Sequence, residues 1–343
     1  MYVADLFSGA GGLTAGFAAA GFEPVVAVEY DRWAAQSYIA NFGPHMLCAD
    51  IGEIDVTRSK RGLTWRVRDT DLAVQTPEID VLVGGPPCQG FSPLGRMTDW
   101  ERPDPRNQLW RHYVRILAIV RPRAFVIENV PELLKSAEYQ ELRARAERLG
   151  YTLNNPTILN ASHYSVPQTR KRAIIIGMRG VAPVLPTVHV TKRTVRDAIG
   201  DLPATPTNRD LHMARKPRPM SVTRYKCVPA GGNRFDLMRK RPDITPACWL
   251  NKLTGSTDVF GRMEWSKPAP TIRTEFFKPE KGRYLHPTAH RPITLREAAR
   301  LQTFPDSFQF VGAHVQIAKQ IGNAVPVRLS ASLAESLKMQ LAG

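Results

Sequence analysis

The sequence predicts an α/β protein with a doubly wound, mostly parallel sheet and a second, smaller and irregular domain. In the first half of the chain, short aliphatic runs typical of buried strands alternate with segments of helical periodicity, the pattern of a parallel sheet covered by helices. Between residues 187 and 290 this alternation stops, and the segment holds 11 of the chain's 28 prolines. Helical periodicity then returns towards the C-terminus. We therefore expect one domain formed by residues 1–186 and 312–343, and a second formed by residues 187–311.

Individual elements follow from apolar periodicity and from the residues that begin or end them. The predicted strands cover residues 2–7, 24–29, 79–83, 124–128 and 172–178, and the predicted helices cover residues 13–20, 32–42, 107–120, 294–301 and 327–341. Thr294 precedes Glu297 by three residues, the spacing of a capping box at a helix start. Residues 57–69 are basic and lack a strong period, so we expect a solvated surface insertion there.

Composition and charge narrow the class of protein. No apolar run approaches the roughly 18 residues of a membrane span, and the N-terminus lacks the features of a secretion signal. We expect a cytoplasmic, nucleoid-associated protein with no membrane partner. The four cysteines show neither C-x-x-C pairs nor zinc-ligand spacing, which predicts neither disulfides nor a metal site.

Positive charge is concentrated in one part of the chain. The formal net charge is +16, and residues 187–290 contribute 20 Lys and Arg against 9 Asp and Glu. A basic surface can serve solubility alone, but a charge confined to one region is typical of a site for a polyanion. Nucleic acid is therefore the expected partner.

A glycine-rich turn follows the first predicted strand. Its residues Ser8, Gly9, Gly11 and Gly12 would let a ligand approach the backbone closely. Glu29 ends the next strand, where a carboxylate can bind ribose hydroxyls. Position 14 is a threonine where the dinucleotide fingerprint requires glycine, so the clamp for a pyrophosphate is incomplete.

Three carboxylates lie near the ends of predicted strands, at Asp5, Glu29 and Asp50. Three negative charges at one edge of a sheet suit a cationic ligand better than an anionic one. S-adenosylmethionine carries a ribose and a sulfonium but no phosphate, so it fits this pattern. The alternative is that Asp5 and Asp50 only cap turns.

Three further segments carry candidate chemistry. Cys88 follows Pro86-Pro87, which lack N–H donors and fix two φ angles, so the thiol would be presented on a stiff turn. Glu128 ends another predicted strand and would meet Cys88 at the same edge of the sheet. Arg170 and Arg172 have strand spacing and would point to one face. Taken singly, these residues could equally be a buried structural thiol, a turn cap and a generic basic strip.

Together and in this order, the segments resemble the DNA (cytosine-5)-methyltransferase family over nearly the whole chain. Residues 5–17 resemble its first motif, Glu29 its second, Asp50 its third, residues 84–92 its Pro-Cys-Gln nucleophile motif, residues 128–130 its Glu-Asn-Val motif, residues 168–172 its Q-x-R-x-R motif, and residues 296–305 and 320–326 its ninth and tenth motifs. A single motif of this kind is weak support, whereas eight in register are specific.

The resemblance implies a fold and a set of site residues. The fold is that of class I S-adenosylmethionine-dependent methyltransferases, with residues 187–290 as the target-recognition region and residues 89–106 as a loop that closes over DNA. Implied cofactor-binding residues are Phe7, Ser8, Gly9, Gly11, Gly12, Leu13, Glu29, Asp50, Ile51, Pro86, Leu109 and Asn323. Expected DNA-binding residues are Gln89, Ser92, Arg96, Arg106, Arg172, Arg234, Arg262 and Arg273.

The resemblance also implies a reaction. Cys88 would add to C6 of a flipped-out cytosine, Glu128 would hold N3 and the exocyclic amine, and Arg170 would hold the O2 carbonyl while C5 takes the methyl group. The expected substrate is double-stranded DNA, the expected cofactor is S-adenosylmethionine without a metal, and the expected state is a monomer. Bacterial members of the family commonly protect DNA against a paired endonuclease. We therefore expect the modification enzyme of a restriction-modification system, with the endonuclease as a functional rather than physical partner.

Three other functions remain open from sequence. The same chemistry could act on tRNA, although the long basic segment at 187–290 favours DNA. A DNA-binding repressor with a decayed active site is a second alternative, which the intact Cys88, Glu128 and Arg170 oppose. An enzyme that methylates exocyclic amines is a third, but Cys88 stands where such enzymes have an aromatic residue after Pro-Pro.

Overall fold

A central sheet flanked by helices organises the chain. The computed structural model describes residues 1–87, 108–189, 191–251 and 258–343. Within these residues the strands are β1 (Tyr2–Leu6), β2 (Glu23–Glu29), β3 (Met46–Cys48), β4 (Ile54–Ser59), β5 (Gly62–Val67), β6 (Ala73–Thr76), β7 (Val81–Gly84), β8 (Ala124–Asn129), β9 (Tyr151–Leu153), β10 (Thr157–Asn160) and β11 (Lys171–Arg179).

The helices lie between the strands and continue beyond them. In the same described residues they are α1 (Gly12–Ala19), α2 (Arg32–Phe42), α3 (Leu109–Val120), α4 (Ala137–Arg148), α5 (Val195–Ile199), α6 (Pro219–Lys226), α7 (Arg234–Lys240), α8 (Ala247–Leu250), α9 (Leu295–Leu301), α10 (His314–Asn323) and α11 (Val327–Ala342). None of them is long and apolar enough to cross a membrane.

The strand order explains where a ligand can bind. The sheet runs β10-β11-β8-β7-β1-β2-β3, with β9 paired to β11. The pairs of β3, β2, β1, β7 and β8 are parallel, whereas β11 is antiparallel to its neighbours. The chain winds outwards from β1 to β3 and then returns to β7 on the other side of β1. Ligands of such sheets bind at this switch point, outside the carboxyl ends of the strands. The predicted mostly parallel, doubly wound sheet is therefore confirmed.

Most predicted elements agree with the structure to within one or two residues. Helix α9 has the predicted capping box, in which the Thr294 hydroxyl accepts from the Glu297 amide and the Glu297 carboxylate accepts from the Thr294 amide. The prediction for residues 57–69 is wrong. They form parts of β4 and β5 in a three-stranded antiparallel sheet, and Trp65 is fully buried against the main core. The alternation of Leu63, Trp65 and Val67 is the strand signal that the surrounding basic residues obscure.

Two apolar cores cover the two faces of the central sheet. One includes α3, α4 and the sheet β4–β6, and the other includes α1 and α11. Helices α1 and α11 approach so closely that a Cβ on Gly16 would lie 2.4 Å from Ser330 Cβ. A third core joins α5 and α9 to α10, while a small fourth one lies wholly within residues 225–285. The proposed boundary between the domains stays a prediction.

Candidate active site

Asp5 is a buried carboxylate near the carboxyl end of β1. Its Oδ2 accepts a hydrogen bond of 2.6 Å from the Thr14 hydroxyl on α1, while its Oδ1 is buried with no hydrogen-bond partner. Loss of hydration raises the pKa of Asp5 to about 7. A buried carboxylate oxygen without a donor is a place where a cationic ligand would be stabilised. Thr14, which breaks the dinucleotide fingerprint, thus orients this carboxylate.

Glu29 lies at the end of the neighbouring strand β2 and holds the glycine-rich turn. Its two carboxylate oxygens accept from the backbone amides of Gly9 at 2.8 Å and Asp31 at 2.7 Å. Each oxygen keeps a lone pair for a ribose hydroxyl. Tyr30 comes next, and its side chain is 76% exposed. Sequence reasoning did not single out this tyrosine, although an exposed ring beside a ribose site is a surface on which a purine can stack.

The backbone of the glycine-rich turn adopts the left-handed region at three positions, with φ of 59° at Phe7, 56° at Gly9 and 96° at Gly11. A Cβ on Gly9 would meet no atom within 4 Å, whereas one on Gly12 would lie 2.6 Å from the Val325 carbonyl oxygen. Gly9 therefore borders open space, and Gly12 allows close packing against the turn that precedes α11. These two glycines serve different purposes that the sequence pattern does not distinguish.

Asp50 caps a short turn whose residue Ile51 is buried. The Asp50 carboxylate accepts from the Gly52 amide at 2.7 Å. Helix α3 supports this turn, because Arg115 donates to the carbonyl oxygens of Ile51 at 3.0 Å and Ile54 at 2.8 Å. Asp5 and Glu29 therefore lie on the adjacent strands β1 and β2, and the turn that carries Ile51 follows β3, the next strand in the sheet.

The remaining cofactor candidates differ in exposure. Leu13 and Pro86 are buried, Ser8 is buried with its amide bonded to the Val28 carbonyl oxygen, Leu109 is half-buried at the start of α3, and Asn323 is exposed at the end of α10. These residues come from several elements, as a pocket at a strand-end crevice requires. An orphaned carboxylate oxygen, free lone pairs on Glu29 and open space at Gly9 together fit a cation that carries a ribose.

The segment before Cys88 is tied to the end of β8. Asn129 donates from Nδ2 to the Pro86 carbonyl oxygen at 2.9 Å, and a Cβ on Gly85 would lie 3.4 Å from Glu128 Oε2. Cys88 itself lies outside the described residues, as do Gln89, Ser92, Arg96 and Arg106. The described part of the turn therefore runs beside Glu128, which is buried.

The two arginines of the Q-x-R-x-R segment lie in different environments. Arg172 Nε is 2.7 Å from Glu128 Oε1, so this pair lies at the candidate site. Arg170 is 2% exposed and donates to the carbonyl oxygens of Ile272 at 2.9 Å and Gly322 at 3.1 Å. Burial lowers the pKa of Arg170 to about 9. The structure argues against the prediction that Arg170 contacts the base, because its guanidinium is bound inside the protein.

The predicted DNA contacts in the recognition region also separate by exposure. Arg273 is exposed, whereas Arg234 is buried with its guanidinium over the Phe235 ring. Arg262 is 3% exposed and donates to the carbonyl oxygens of Tyr225, Val228, His286 and Ala289. The structure therefore argues against DNA contacts by Arg234 and Arg262, which organise the interior, and leaves Arg273 available.

A pair of buried amides was not singled out by sequence reasoning. Gln168 donates to Gln302 Oε1 at 2.9 Å and accepts from the Ile272 amide at 2.9 Å. Gln302 in turn donates to the Ile321 carbonyl oxygen at 2.6 Å and to that of Ala324 at 3.2 Å. Gln168 and Gln302 lie 134 positions apart in the chain, so no local sequence pattern predicts that they meet.

Among the described residues, no three His, Cys, Asp or Glu side chains cluster as metal ligands would.

The sheet order and the carboxylates at its switch point define a class I methyltransferase fold. Over the full length of both chains, the structure resembles an E. coli prophage-encoded protein described as a DNA modification methyltransferase, with a TM-score of 0.73 and 25% identity. It also shares the fold of the Dnmt2 methyltransferase of S. pombe, with a TM-score of 0.61 and 19% identity over the full length of both chains.

The chain belongs to the C-5 cytosine-specific DNA methylase family, which it matches over residues 1–339. It is 33% identical to the Type II methyltransferase M1.HphI of Haemophilus parahaemolyticus, over 98% of this chain and 86% of that one. It is 32% identical to the Type II methylase M.HgiDII of Herpetosiphon aurantiacus, over 99% and 96%. The protein is thus a DNA cytosine-5-methyltransferase, and its family implies S-adenosylmethionine as methyl donor.

Proposed function

We propose that this enzyme methylates C5 of a flipped-out cytosine within a specific sequence of double-stranded DNA, through a transient covalent bond between Cys88 and C6. The observation that carries the proposal is the hydrogen bond from Asn129 to the Pro86 carbonyl oxygen. It holds the chain two residues before Cys88 against the strand end that bears Glu128. Under the proposal, Cys88 would present its thiol beside Glu128, so that a nucleophile and an acid act on the same pyrimidine ring.

The cofactor would be held at the carboxyl ends of β1 and β2. S-adenosylmethionine supplies an electrophilic methyl group on a sulfonium when bound. Glu29 would bind the ribose hydroxyls through its free lone pairs, Asp5 would stabilise the positive charge, and Tyr30 would stack on the adenine. Leu109 and Asn323 would line the same pocket from α3 and α10.

Each reacting group has a defined task. The Cys88 thiolate adds to C6, which breaks the C5–C6 double bond and places an electron pair on C5, while Glu128 gives a proton to N3. After C5 has been methylated, loss of its proton to a base and of the N3 proton to Glu128 restores the double bond and expels the thiolate. The ring can be reached on both faces only outside the helix stack, so base flipping is required.

We assign the contact with the cytosine O2 to Arg172 in place of Arg170. Arg172 is paired with Glu128 and partly accessible, so it can turn one face of its guanidinium to a base bound against that carboxylate. Negative charge grows on O2 as the thiolate adds, and a fixed cation there lowers the barrier.

Duplex DNA with 5-fluorocytosine at the target position tests the covalent step. C5 then carries fluorine in place of the proton that must leave, so a denaturation-stable protein–DNA adduct should accumulate when S-adenosylmethionine is present. Cys88→Ala is expected to form none, while Glu128→Gln should form it more slowly. An enzyme that methylates ordinary DNA but traps nothing, or an equal adduct from Cys88→Ala, would overturn the proposal.

The relatives are called Type II methyltransferases, which supports a role in restriction-modification. We propose that the enzyme acts as a monomer in the cytoplasm and protects DNA from an endonuclease of the same specificity, without binding that endonuclease. Bisulfite sequencing of DNA from a host that expresses the protein should show one short sequence methylated throughout. Methylation scattered over unrelated sequences would contradict this role, as would a dimer at working concentrations in sedimentation.

A further inference from the structure

We propose that Gln168, Arg170 and Gln302 form a buried staple that couples cofactor binding to DNA binding; this inference rests on the function proposed above. The staple joins two segments of the chain. One is the loop Ile272–Thr274, from which the exposed Arg273 projects, and the other is the end of α10, where Asn323 is exposed.

The loop is held at three points. The Ile272 amide donates to Gln168 Oε1 at 2.9 Å, and the Ile272 carbonyl oxygen accepts from Arg170 at 2.9 Å. The third point is a contact of backbone with backbone, because a Cβ on Gly322 would lie 2.4 Å from the Thr274 nitrogen. The loop that contains Arg273 therefore has little freedom to move relative to α10.

The end of α10 is held by the same side chains. Arg170 donates to the Gly322 carbonyl oxygen at 3.1 Å, and Gln302 donates to those of Ile321 and Ala324. Asn323 is thus flanked on both sides by carbonyls that the staple fixes. The hydrogen bond of 2.9 Å between Gln168 and Gln302 closes the connection.

The two ligands would share one ordering step in the chain. All three side chains are buried, and Gln168 and Gln302 are fully buried. A hydrogen bond broken there is costly, because no water can replace the lost partner. A ligand that orders Asn323 therefore also orders the loop of Arg273. DNA that then binds Arg273 loses less conformational entropy, because that loop is already ordered. By linkage, each ligand must raise the affinity of the other by the same factor.

Binding measurements on the intact enzyme test the coupling. The probes are S-adenosylhomocysteine, the demethylated cofactor, and a duplex that contains the sequence found by bisulfite mapping. For wild type we expect S-adenosylhomocysteine to tighten DNA binding by about 5–150-fold, and DNA to tighten S-adenosylhomocysteine binding equally. In Gln302→Met and Arg170→Lys we expect this factor to fall below about threefold.

Arg262→Met is the matched control. Arg262 is also a buried arginine bonded to several backbone carbonyls, but none of them belongs to α10. Arg262→Met should lower the melting temperature as the staple variants do. It should nevertheless keep the wild-type factor by which S-adenosylhomocysteine and DNA tighten each other's binding. Equal coupling in Gln302→Met and wild type, or no coupling in wild type, would overturn the inference. A wild-type enzyme that binds no S-adenosylhomocysteine and methylates no DNA would instead refute the proposed function itself.

Discussion

Burial gives Asp5 an unusual protonation behaviour. The native carboxyl has a pKa of about 7, far above the value of about 3.9 expected in an unfolded chain. A raised native pKa means that the folded state binds the proton more tightly. The stability contributed is therefore full below the unfolded pKa and is lost as pH rises through the native one.

Asp5→Asn removes this titration while it keeps the shape and an acceptor for Thr14. We expect wild type to lose stability relative to Asp5→Asn by up to about 1.4 kcal/mol per pH unit between pH 4 and 7, and the difference to level off above pH 7. Urea unfolding of both proteins at pH 5, 6, 7 and 8 measures it. Parallel pH profiles would show that Asp5 titrates normally.

Removal of the guanidinium should lower the reaction rate at Arg172 and the free energy of unfolding at Arg170. Arg172→Met should lower the rate of a single turnover by about 10²–10³-fold, because the charge that grows on the base is left uncompensated. Arg170→Met leaves two carbonyl oxygens buried without a donor and should cost about 1–3 kcal/mol of unfolding free energy per lost partner. A catalytic defect without destabilisation in Arg170→Met would reverse our assignment.

At the scale of the element, α9 depends on a buried ion pair. Glu297 is fully buried and accepts from Arg291 through both oxygens, at 2.7 and 2.8 Å, while it also closes the capping box with Thr294. The Arg291 guanidinium and these hydrogen bonds hold the pKa of Glu297 at about 2 despite its burial. Helix α9, which Gln302 follows directly, is fixed in this way at its N-terminus.

Glu297→Gln breaks the pair and leaves Arg291 as an uncompensated buried charge, so we expect a loss of about 3–5 kcal/mol in unfolding free energy. Because the native pKa is depressed, the contribution of Glu297 is present above the unfolded value of about 4.3 and is lost as pH falls towards 2. The difference between wild type and variant in urea unfolding should therefore shrink below pH 4. The exposed Glu335→Gln on α11 is the control and should change stability by under about 0.5 kcal/mol.

At the scale of the whole molecule, exposed positive charge lies on two surfaces, one around Arg273 and one at the turn between β4 and β5. The turn between β4 and β5 carries the exposed Lys60 and Arg61. Arg58, just before it, donates to the carbonyl oxygen of Ile119 near the end of α3, at the amino edge of the sheet. The candidate site lies at the opposite, carboxyl edge. DNA bound there should not reach this basic turn.

The salt dependence of DNA binding distinguishes the two surfaces. Removal of one phosphate contact lowers the slope of log K against log salt by about 0.9. We expect a decrease of about that size for Arg273→Ala if Arg273 contacts a phosphate, and no change for the paired substitution Lys60→Ala with Arg61→Ala. A shallower slope in the double variant would place DNA on both edges of the sheet.

Much of the molecule was predictable from local sequence. Periodicity located the strands and helices because each buries one face or one stripe, and the capping box marked the start of α9. The sheet β4–β6 was missed because basic residues on its exposed face masked the alternation of Leu63, Trp65 and Val67. Local patterns report which residues are apolar, and they report poorly on a strand whose polar face is strongly charged.

By itself, the sequence determined the order and spacing of the chemical groups, and with them the family, the candidate nucleophile Cys88 and the carboxylates of the cofactor edge. Only the tertiary structure decided which arginine side chains can reach a bound base and which are bound inside the protein. Arg170 precedes β11, so the alternation of the strand does not extend to it, and its side chain meets the carbonyls of Ile272 and Gly322 while Arg172 meets Glu128. The environment of a guanidinium depends on segments about 100 and 150 residues away in the chain, and no local pattern encodes their approach.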